Sequence, residues 1–248
     1  SAMFSGTVIQ SALYTLLKIS LGIGFPARDM GLLLIILAVL NMTVGNGLAL
    51  VQIHTKRMLA YSTIAQMGYA MFSIGVGLRY ALPAAIQAGF FMLLTHTAMK
   101  GLAFLSKGVC HYYCHTTLVE ELRGTSRQLP LVAVTFSIAL VGLVGIPPLA
   151  GFTGKWFILA EVLRTGDWIV YVGTIIFLLN TILSLGYYLP LIAMLYAPLS
   201  SVDVDPSPIA ISAWMIVPLV ILSLLVIAMG IYPGPWLRWS ANVLTFAQ

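Results

Sequence analysis

The chain has 248 residues, of which 60% are hydrophobic and only 8% are charged. A soluble protein usually contains roughly 25% charged residues, so this composition excludes an ordinary soluble domain. The net charge of +5 comes from 12 basic and 7 acidic residues that are scattered along the chain. Because the basic residues form no cluster, the charge gives no reason to expect nucleic-acid binding.

Apolar runs of helical length recur along the whole chain. A helix of roughly 20 apolar residues crosses the hydrocarbon core of a bilayer, and these runs lack the alternation of β-barrel strands. We therefore predict an all-α transmembrane bundle over residues 1–232, with about seven spans, followed by an interfacial tail over residues 233–248. The predicted spans cover residues 4–24, 30–53, 57–78, 82–106, 130–158, 168–196 and 210–232.

The first residues of the chain and its short loops predict whether it is a piece of a longer protein and how it is oriented in the membrane. Ser1 stands where a start methionine would, and no signal peptide follows, so we expect a piece of a longer protein. Basic residues in short loops favour the cytoplasmic side. The N-terminal side carries Lys56, Arg57, Lys107, Arg123 and Arg127, and the opposite side carries Arg28, Arg79, Arg164 and Arg238. This small excess predicts a cytoplasmic N-terminus. The membrane that we expect is a bacterial or archaeal inner membrane, with an organelle inner membrane as the alternative.

Several polar side chains interrupt the apolar spans. The first span contains Gln10 and Lys18. Lys18 is a candidate for proton translocation if it is buried, and it could instead be directed to the interface. Polar side chains in the other spans could bind water or hydrogen-bond neighbouring helices, and such helix-to-helix bonding is the more ordinary interpretation. This group comprises Tyr61, Ser62 and Gln66 in the third span and Asn180 in the sixth.

Lys100 lies well inside the fourth span. An ionised side chain at this depth is costly, so it usually faces the interior of the bundle and marks an ion path. His96 is four residues earlier and shares the same helix face. An imidazole and an amine on one face can exchange a proton through water. The alternative is that Lys100 extends to the interface and His96 only supports a helix contact.

A cluster of cysteines and histidines follows the fourth span, in what we expect to be a short loop. Cys110, His111, Cys114 and His115 are of the types that bind zinc, but structural zinc usually needs two well-separated ligand pairs. We therefore predict free thiols and no metal. The sequence also lacks a phosphate loop, a dinucleotide fingerprint and a nucleophile triad, so we expect no cofactor.

The fifth span cannot be one regular helix. Pro147 and Pro148 remove two backbone donors and clash with preceding carbonyl groups. Carbonyls freed at membrane depth must be satisfied by protein, water or an ion, so broken helices line cavities. Lys155 follows this break by about two turns and is well placed to hold a proton there. The alternative is a simple proline kink with a lysine near the helix end.

Three segments together resemble the antiporter-like membrane subunits of respiratory complex I, which are shared with multisubunit sodium/proton antiporters and membrane-bound hydrogenases. They are Lys56 to Tyr69, Thr95 to Leu105, and Gly145 to Lys155. The stretch from Gly230 to Pro235 is similar as well. The resemblance covers the chain from end to end.

The resemblance implies a larger fold of fourteen spans built from two inverted five-helix repeats, of which this chain is similar to the C-terminal half. It implies that Lys100 lies on the eleventh helix and Lys155 on the broken twelfth, at positions where the family holds protons. The lysine that is usual in the eighth helix falls on Gln10, and Lys18 lies two turns later.

The implied function is a proton-translocating membrane subunit of a complex-I-like NADH:quinone oxidoreductase or a related redox-driven complex. Lys100 and Lys155 would load and release protons, and His96 would relay between them. The implied partners are other membrane subunits, including the N-terminal half of the fold, and the lipid bilayer. One alternative is a subunit of a sodium/proton antiporter or membrane-bound hydrogenase. Another is a structural module that conducts nothing.

Overall fold

A computed structural model describes residues 3–115, 117–198 and 207–245 of the chain. Apart from one isolated β-bridge between His54 and Leu118, the regular structure in these ranges is helical, which confirms the all-α prediction. A π-helical turn, Phe4–Val8, precedes α1. The α-helices are α1 (Ile9–Gly22), α2 (Ala27–Leu50), α3 (Thr55–Arg79), α4 (Pro83–Cys114), α5 (Thr125–Gln128), α6 (Pro130–Val144), α7 (Ala150–Val162), α8 (Trp168–Tyr196), α9 (Ala213–Ile231) and α10 (Gly234–Thr245).

In the described ranges, four helices are long and apolar enough to cross a membrane, namely α2, α4, α8 and α9. Helix α3 has 25 residues, but most of them are buried and many are polar. The first predicted span consists of the π-helical turn and α1, and the fifth consists of α6 and α7. The total of seven spans therefore stays a prediction, as does an interfacial position for α10.

Helices α2 and α3 pack closely because glycines of each helix face the backbone of the other. A Cβ atom at Gly45 would lie 2.6 Å from the backbone nitrogen of Ala65, and one at Gly68 would lie 2.8 Å from the carbonyl oxygen of Ala38. Neither glycine could take a larger side chain without the helices moving apart. This contact fixes the face of α3 that points away from α2.

The break predicted at Pro147 and Pro148 is present between α6 and α7. Helix α6 ends at Gly145, whose φ of +93° favours glycine. The backbones around the break are closely packed, since a Cβ atom at Gly151 would lie 1.8 Å from the carbonyl oxygen of Gly142. The last carbonyl groups of α6 therefore end inside the bundle and not at its surface.

Helix α4 is longer than predicted, and the loop expected after residue 106 does not begin there. The helix continues to Cys114 and ends where His115 takes the left-handed conformation, with a φ of +49°. Lys107, which was assigned to a loop, is a fully buried helical residue. The prediction failed because it ended the helix at the last strongly apolar residue, whereas Lys107 and Cys110 also face the protein interior.

Candidate functional site

Lys100 is fully buried on α4, so the interpretation that it extends to the interface is wrong. Its Nζ donates to the carbonyl oxygen of Leu59 at 2.7 Å and to Oγ of Ser62 at 2.5 Å. Both acceptors belong to α3, on the helix face that the contact with α2 fixes. The ammonium group is therefore held by oxygen dipoles of a neighbouring helix and not by a carboxylate.

The Leu59 carbonyl is the common acceptor of this part of the site. The hydroxyl groups of Ser62 and Thr63 each donate to it at 2.9 Å, in addition to Lys100. Ser62 thus accepts from Lys100 and donates to Leu59. A hydroxyl group in this position can pass on a proton, because it has both a donor and acceptor lone pairs.

His96 lies one turn from Lys100 on α4 and is also fully buried. Gln10 Nε2 donates to its Nδ1 at 3.1 Å, and Thr97 donates to Oε1 of Gln10. His96 Nε2 is buried and makes no hydrogen bond to a described residue. Gln10 therefore contacts the imidazole with an amide group, in the position where the resemblance leads one to expect a lysine.

Lys155 occupies the gap left by the helix break. Only 4% of the residue is exposed, and its Nζ donates to the carbonyl oxygens of Val144 at 2.8 Å and of Leu143 at 3.4 Å. These two carbonyls end α6, where a helix has unsatisfied acceptors and the negative end of its dipole. The same Nζ lies 4.8 Å from the ring centre of Tyr69, within cation–π range. Lys155 is therefore held inside the bundle by specific contacts and is more than a residue beside a kink.

Gln66 joins the surroundings of the two lysines. It is one turn from Ser62 on α3, and its Nε2 donates to the carbonyl oxygen of Leu143 at 2.9 Å, the same atom that accepts from Lys155. Ser62, Gln66 and the end of α6 thus form a polar strip between Lys100 and Lys155. Two of the polar residues singled out in the third span, Ser62 and Gln66, belong to this strip.

Other predicted residues lie elsewhere. Tyr61 is half-buried against the apolar core, and Lys18 is exposed on α1. Asn180 belongs to a second buried network, in which Asn46 Nδ2 donates to its Oδ1 at 3.0 Å and Tyr187 donates to Asn46 at 2.8 Å. This second network lies between α2 and α8.

Sequence reasoning missed four polar residues that are buried in the bundle, namely Asn46, Tyr69, Tyr187 and Tyr188. Asn46 was the one with a recognisable signal, because an amide within an apolar span of α2 needs a partner. A tyrosine in a membrane helix is ordinary, and only the packing of α8 against α3 shows that these rings are buried.

The predicted loop of cysteines and histidines is also different in the structure. Cys110, His111 and Cys114 lie in the last turns of α4, where Cys110 is buried and Sγ of Cys114 lies 3.6 Å from Oε1 of Gln128. The described ranges contain no group of three or more side chains arranged to hold a metal ion.

Comparison with known proteins gives consistent matches. The family described as NADH:quinone oxidoreductase/Mrp antiporter, TM, matches residues 1–184. NADH-quinone oxidoreductase subunit N of Desulforamulus reducens is 34% identical over 214 residues, which are 86% of this chain and 43% of that protein. NADH-quinone oxidoreductase subunit 14 of Thermus thermophilus is 34% identical over 232 residues, which are 94% of this chain and 49% of that protein.

A solved structure agrees over nearly the whole chain. It is that of a membrane-bound sulfane sulfur reductase, an archaeal respiratory membrane complex. One of its chains matches with a TM-score of 0.85 at 26% identity, covering 99% of this chain and 48% of that one. The present chain thus spans about half the length of the proteins that it matches.

Proposed function

The chain belongs to the NADH:quinone oxidoreductase/Mrp antiporter family of membrane proteins, and from that premise we propose that it translocates protons as a subunit of a redox-driven membrane complex. The observation that carries this proposal is the pair of buried lysines, each held by backbone carbonyls and joined by Ser62 and Gln66. Burying two amines in a membrane bundle is costly, so a structural role alone explains them poorly.

The chemistry proposed for this chain is proton transfer without any covalent change. Lys100 and Lys155 alternate between ammonium and amine, and His96 exchanges protons with Lys100 one helix turn away. Charges interact more strongly inside a protein than at the same separation in water. Loading one lysine therefore favours release from the other, and this coupling connects the site to charge movements in neighbouring subunits.

Protons fit this interior better than sodium ions. Among its buried polar residues the described part of the chain has three lysines, Lys100, Lys107 and Lys155, and no carboxylate. A hard cation prefers charged oxygen ligands, and an ammonium group nearby repels it. A sodium/proton antiporter subunit remains the second candidate because the family includes Mrp antiporters.

The partners and the redox reaction are part of the proposal. Since the chain spans about half of its relatives, we propose that the N-terminal half of the fold and further membrane subunits pack against it. The relatives are named for NADH and quinone, whereas the solved complex is named for sulfane sulfur. We therefore propose that the membrane part is common to these complexes and that other subunits supply the electrons. A bacterial or archaeal inner membrane is its proposed location.

The proposal is tested by Lys100→Ala and Lys155→Ala in the full-length subunit, assembled in its complex and placed in membrane vesicles. We expect both variants to lose most redox-driven acidification, since each removes a group that holds the proton. Lys56→Ala is the matched control, because Lys56 is an exposed lysine at the start of α3. Acidification at the control level in both variants would instead support a structural module that conducts nothing.

A further inference from the structure

The Thr97 hydroxyl group has one proton and two acceptors within hydrogen-bond distance. Its Oγ1 lies 2.5 Å from Oε1 of Gln10 and 3.1 Å from the carbonyl oxygen of Leu93. A hydroxyl group has a single hydrogen, so it donates to one of these atoms at a time. The arrangement of Thr97 and Gln10 therefore has two alternative sets of hydrogen bonds.

In the first set, Thr97 donates to Gln10 and Gln10 donates to His96. The amide oxygen accepts from Thr97, and the amide nitrogen lies 3.1 Å from Nδ1 of His96. An amide nitrogen only donates, so Nδ1 accepts and carries no proton. The proton of the neutral ring then lies on Nε2, the nitrogen that makes no hydrogen bond to a described residue.

The second set arises when the Gln10 amide turns by half a rotation, which exchanges its oxygen and nitrogen. The oxygen then accepts from a proton on Nδ1 of His96, and the nitrogen donates to Oγ1 of Thr97. The Thr97 hydroxyl group in turn donates to Leu93, at the distance that the structure already has. Gln10 and Thr97 keep their hydrogen bonds in both sets. The two sets differ in whether Nδ1 of His96 carries a proton.

We propose that Gln10 and Thr97 form a hydrogen-bond switch for His96, and that the Gln10 amide must turn before the ring can take up a proton on Nδ1. The inference rests on the proposed function, in which His96 exchanges protons, and it makes Gln10 and Thr97 positioning residues. A glutamine amide does not titrate. Gln10 therefore controls access to Nδ1 without holding the proton itself, unlike the lysine that the resemblance leads one to expect at this position.

The proton that charges His96 comes from water in the cavity beside Gln10. This cavity of about 520 Å³ is lined by Gln10, Thr97, Ser11 and Thr15 together with apolar residues, so it has the room and the polar groups that water needs. A hydronium ion there gives one proton to Nδ1 once the amide has turned, which leaves a neutral water molecule and an imidazolium. The amide and the hydroxyl group only rotate, and each keeps its own hydrogens.

Lys100 is the ionisable group, among the described residues, whose charge acts on the His96 ring. It lies one turn away on the same helix, and an ammonium there disfavours an imidazolium. Of the lysines on neighbouring helices, Lys18 of α1 is exposed, and Lys155 of α7 is held at the end of α6. We therefore expect the switch to turn toward the charged ring when Lys100 is an amine.

The orientation of the Gln10 amide at different pH values tests the proposal directly. The full-length subunit, isotope-labelled at the side-chain nitrogens of glutamine and histidine, is studied by solid-state NMR in its assembled complex. The signals are assigned by their loss in Gln10→Met and His96→Gln. We expect Nε2 of Gln10 to contact an unprotonated Nδ1 of His96 while the ring is neutral. That contact should be lost when acidification protonates Nδ1, because the amide nitrogen then faces Thr97.

Two results of this experiment would overturn the proposal. One is an amide nitrogen that keeps its contact with Nδ1 of His96 after Nδ1 has become protonated. The other is an Nδ1 that stays unprotonated over the whole pH range in which the complex remains assembled, because the second set of hydrogen bonds would then never form.

Thr97→Val and Thr97→Ser form a matched pair, since valine keeps the shape of threonine without the hydroxyl group and serine keeps the hydroxyl group. In Thr97→Val we expect both orientations of the Gln10 amide at a single pH. Redox-driven acidification of vesicles should fall by about tenfold, which is less than for loss of a proton-transfer group itself. Thr97→Ser should keep one orientation and the rate of the unmodified complex. Equal behaviour of the two variants would show that the hydroxyl group does not set the switch.

The NMR readout does not depend on translocation, so failure of the switch and failure of the proposed function can be told apart. If Lys100→Ala and Lys155→Ala lose acidification but the Gln10 amide never turns, the switch is wrong and the proposed function stands. If the amide turns with the protonation of His96 while both lysine variants keep full acidification, the switch stands and the proposed function is wrong.

Discussion

At the scale of single residues, the two lysines are held by neutral oxygen atoms. Lys100 contacts Leu59 and Ser62, and Lys155 contacts the carbonyls of Leu143 and Val144. A buried carboxylate partner would form an ion pair whose separation leaves an uncompensated charge, which is strongly unfavourable. Carbonyl and hydroxyl dipoles stabilise the ammonium less, so the proton can leave without breaking a buried ion pair. The arrangement suits a group that must be loaded and emptied repeatedly.

Ser62→Ala should lower proton translocation by about tenfold, because the hydroxyl group is the one proton-transferring contact of Lys100 on α3 in the described ranges. Acidification of vesicles by the assembled complex measures the effect. Ser73→Ala is the control, since Ser73 is equally buried on the same helix and donates to the carbonyl of Ala85 at 2.7 Å. Each loses one buried hydrogen bond, about 1 kcal/mol of stability. Equal effects of the two variants on transport would contradict the role of Ser62.

Single residues also show what could be predicted from sequence. Lys100, His96 and Lys155 could be singled out from the sequence because ionisable side chains inside an apolar span are rare and usually functional. Tyr188 was not, because a tyrosine in a membrane helix is common and its neighbour Ser62 lies more than one hundred residues away in the chain. Lys107 was assigned to a loop because it follows the last strongly apolar residues of the fourth predicted span, although it is buried within α4.

At the scale of helices, the position of α3 determines the site. It packs against α2 through glycines, and its opposite side supplies Leu59, Ser62 and Gln66 to the two lysines. The broken pair α6 and α7 supplies both Lys155 and the carbonyls that hold it. The sequence predicted the break, since two consecutive prolines prevent a continuous regular helix. It could not predict which helix would face the freed carbonyls.

Gly45→Ala should destabilise the bundle by about 1–3 kcal/mol, because the new methyl group would overlap the α3 backbone. Gly47→Ala is the matched control on the same helix, since a Cβ atom there meets nothing within 4 Å. It should be neutral or should stabilise the helix by up to about 1 kcal/mol. Thermal unfolding of the purified complex in detergent measures both. A Gly45→Ala variant as stable as Gly47→Ala would show that the glycine contact is not tight.

The segment after α4 should loosen in acid. The Glu121 carboxylate accepts from the backbone N–H groups of Thr117 and Leu118, and these bonds hold the pKa of Glu121 below its ordinary value of 4.5. Because the pKa is lowered, the ionised Glu121 stabilises this segment fully above its ordinary pKa. That stabilisation is lost as the pH falls through the lowered pKa of the folded protein. Hydrogen exchange should show the two amides protected at neutral pH and unprotected once Glu121 is protonated. Equal protection of these two amides at neutral pH in the Glu121→Gln variant and in the unmodified protein would contradict this.

At the scale of the whole molecule, the polar strip extends across several helices of the bundle. It runs from α4 across α3 to the break between α6 and α7, and apolar residues surround it. The class of fold was predictable from the low content of charged residues together with apolar runs of helical length, because so few charges cannot cover a soluble surface. The direction of the strip was not, since it depends on how distant helices pack.

The most direct test of the account is a double-variant comparison of the two lysines in the assembled complex. Proton translocation is measured in vesicles for Lys100→Ala, Lys155→Ala and the variant carrying both, at equal complex content. If the lysines hold the same proton in succession, each single change blocks the path, and the double variant retains the same residual rate as either single one. Translocation at the unmodified rate in both single variants would contradict the account. The account would also be contradicted if the residual rate of the double variant equalled the product of the two fractional rates of the single variants.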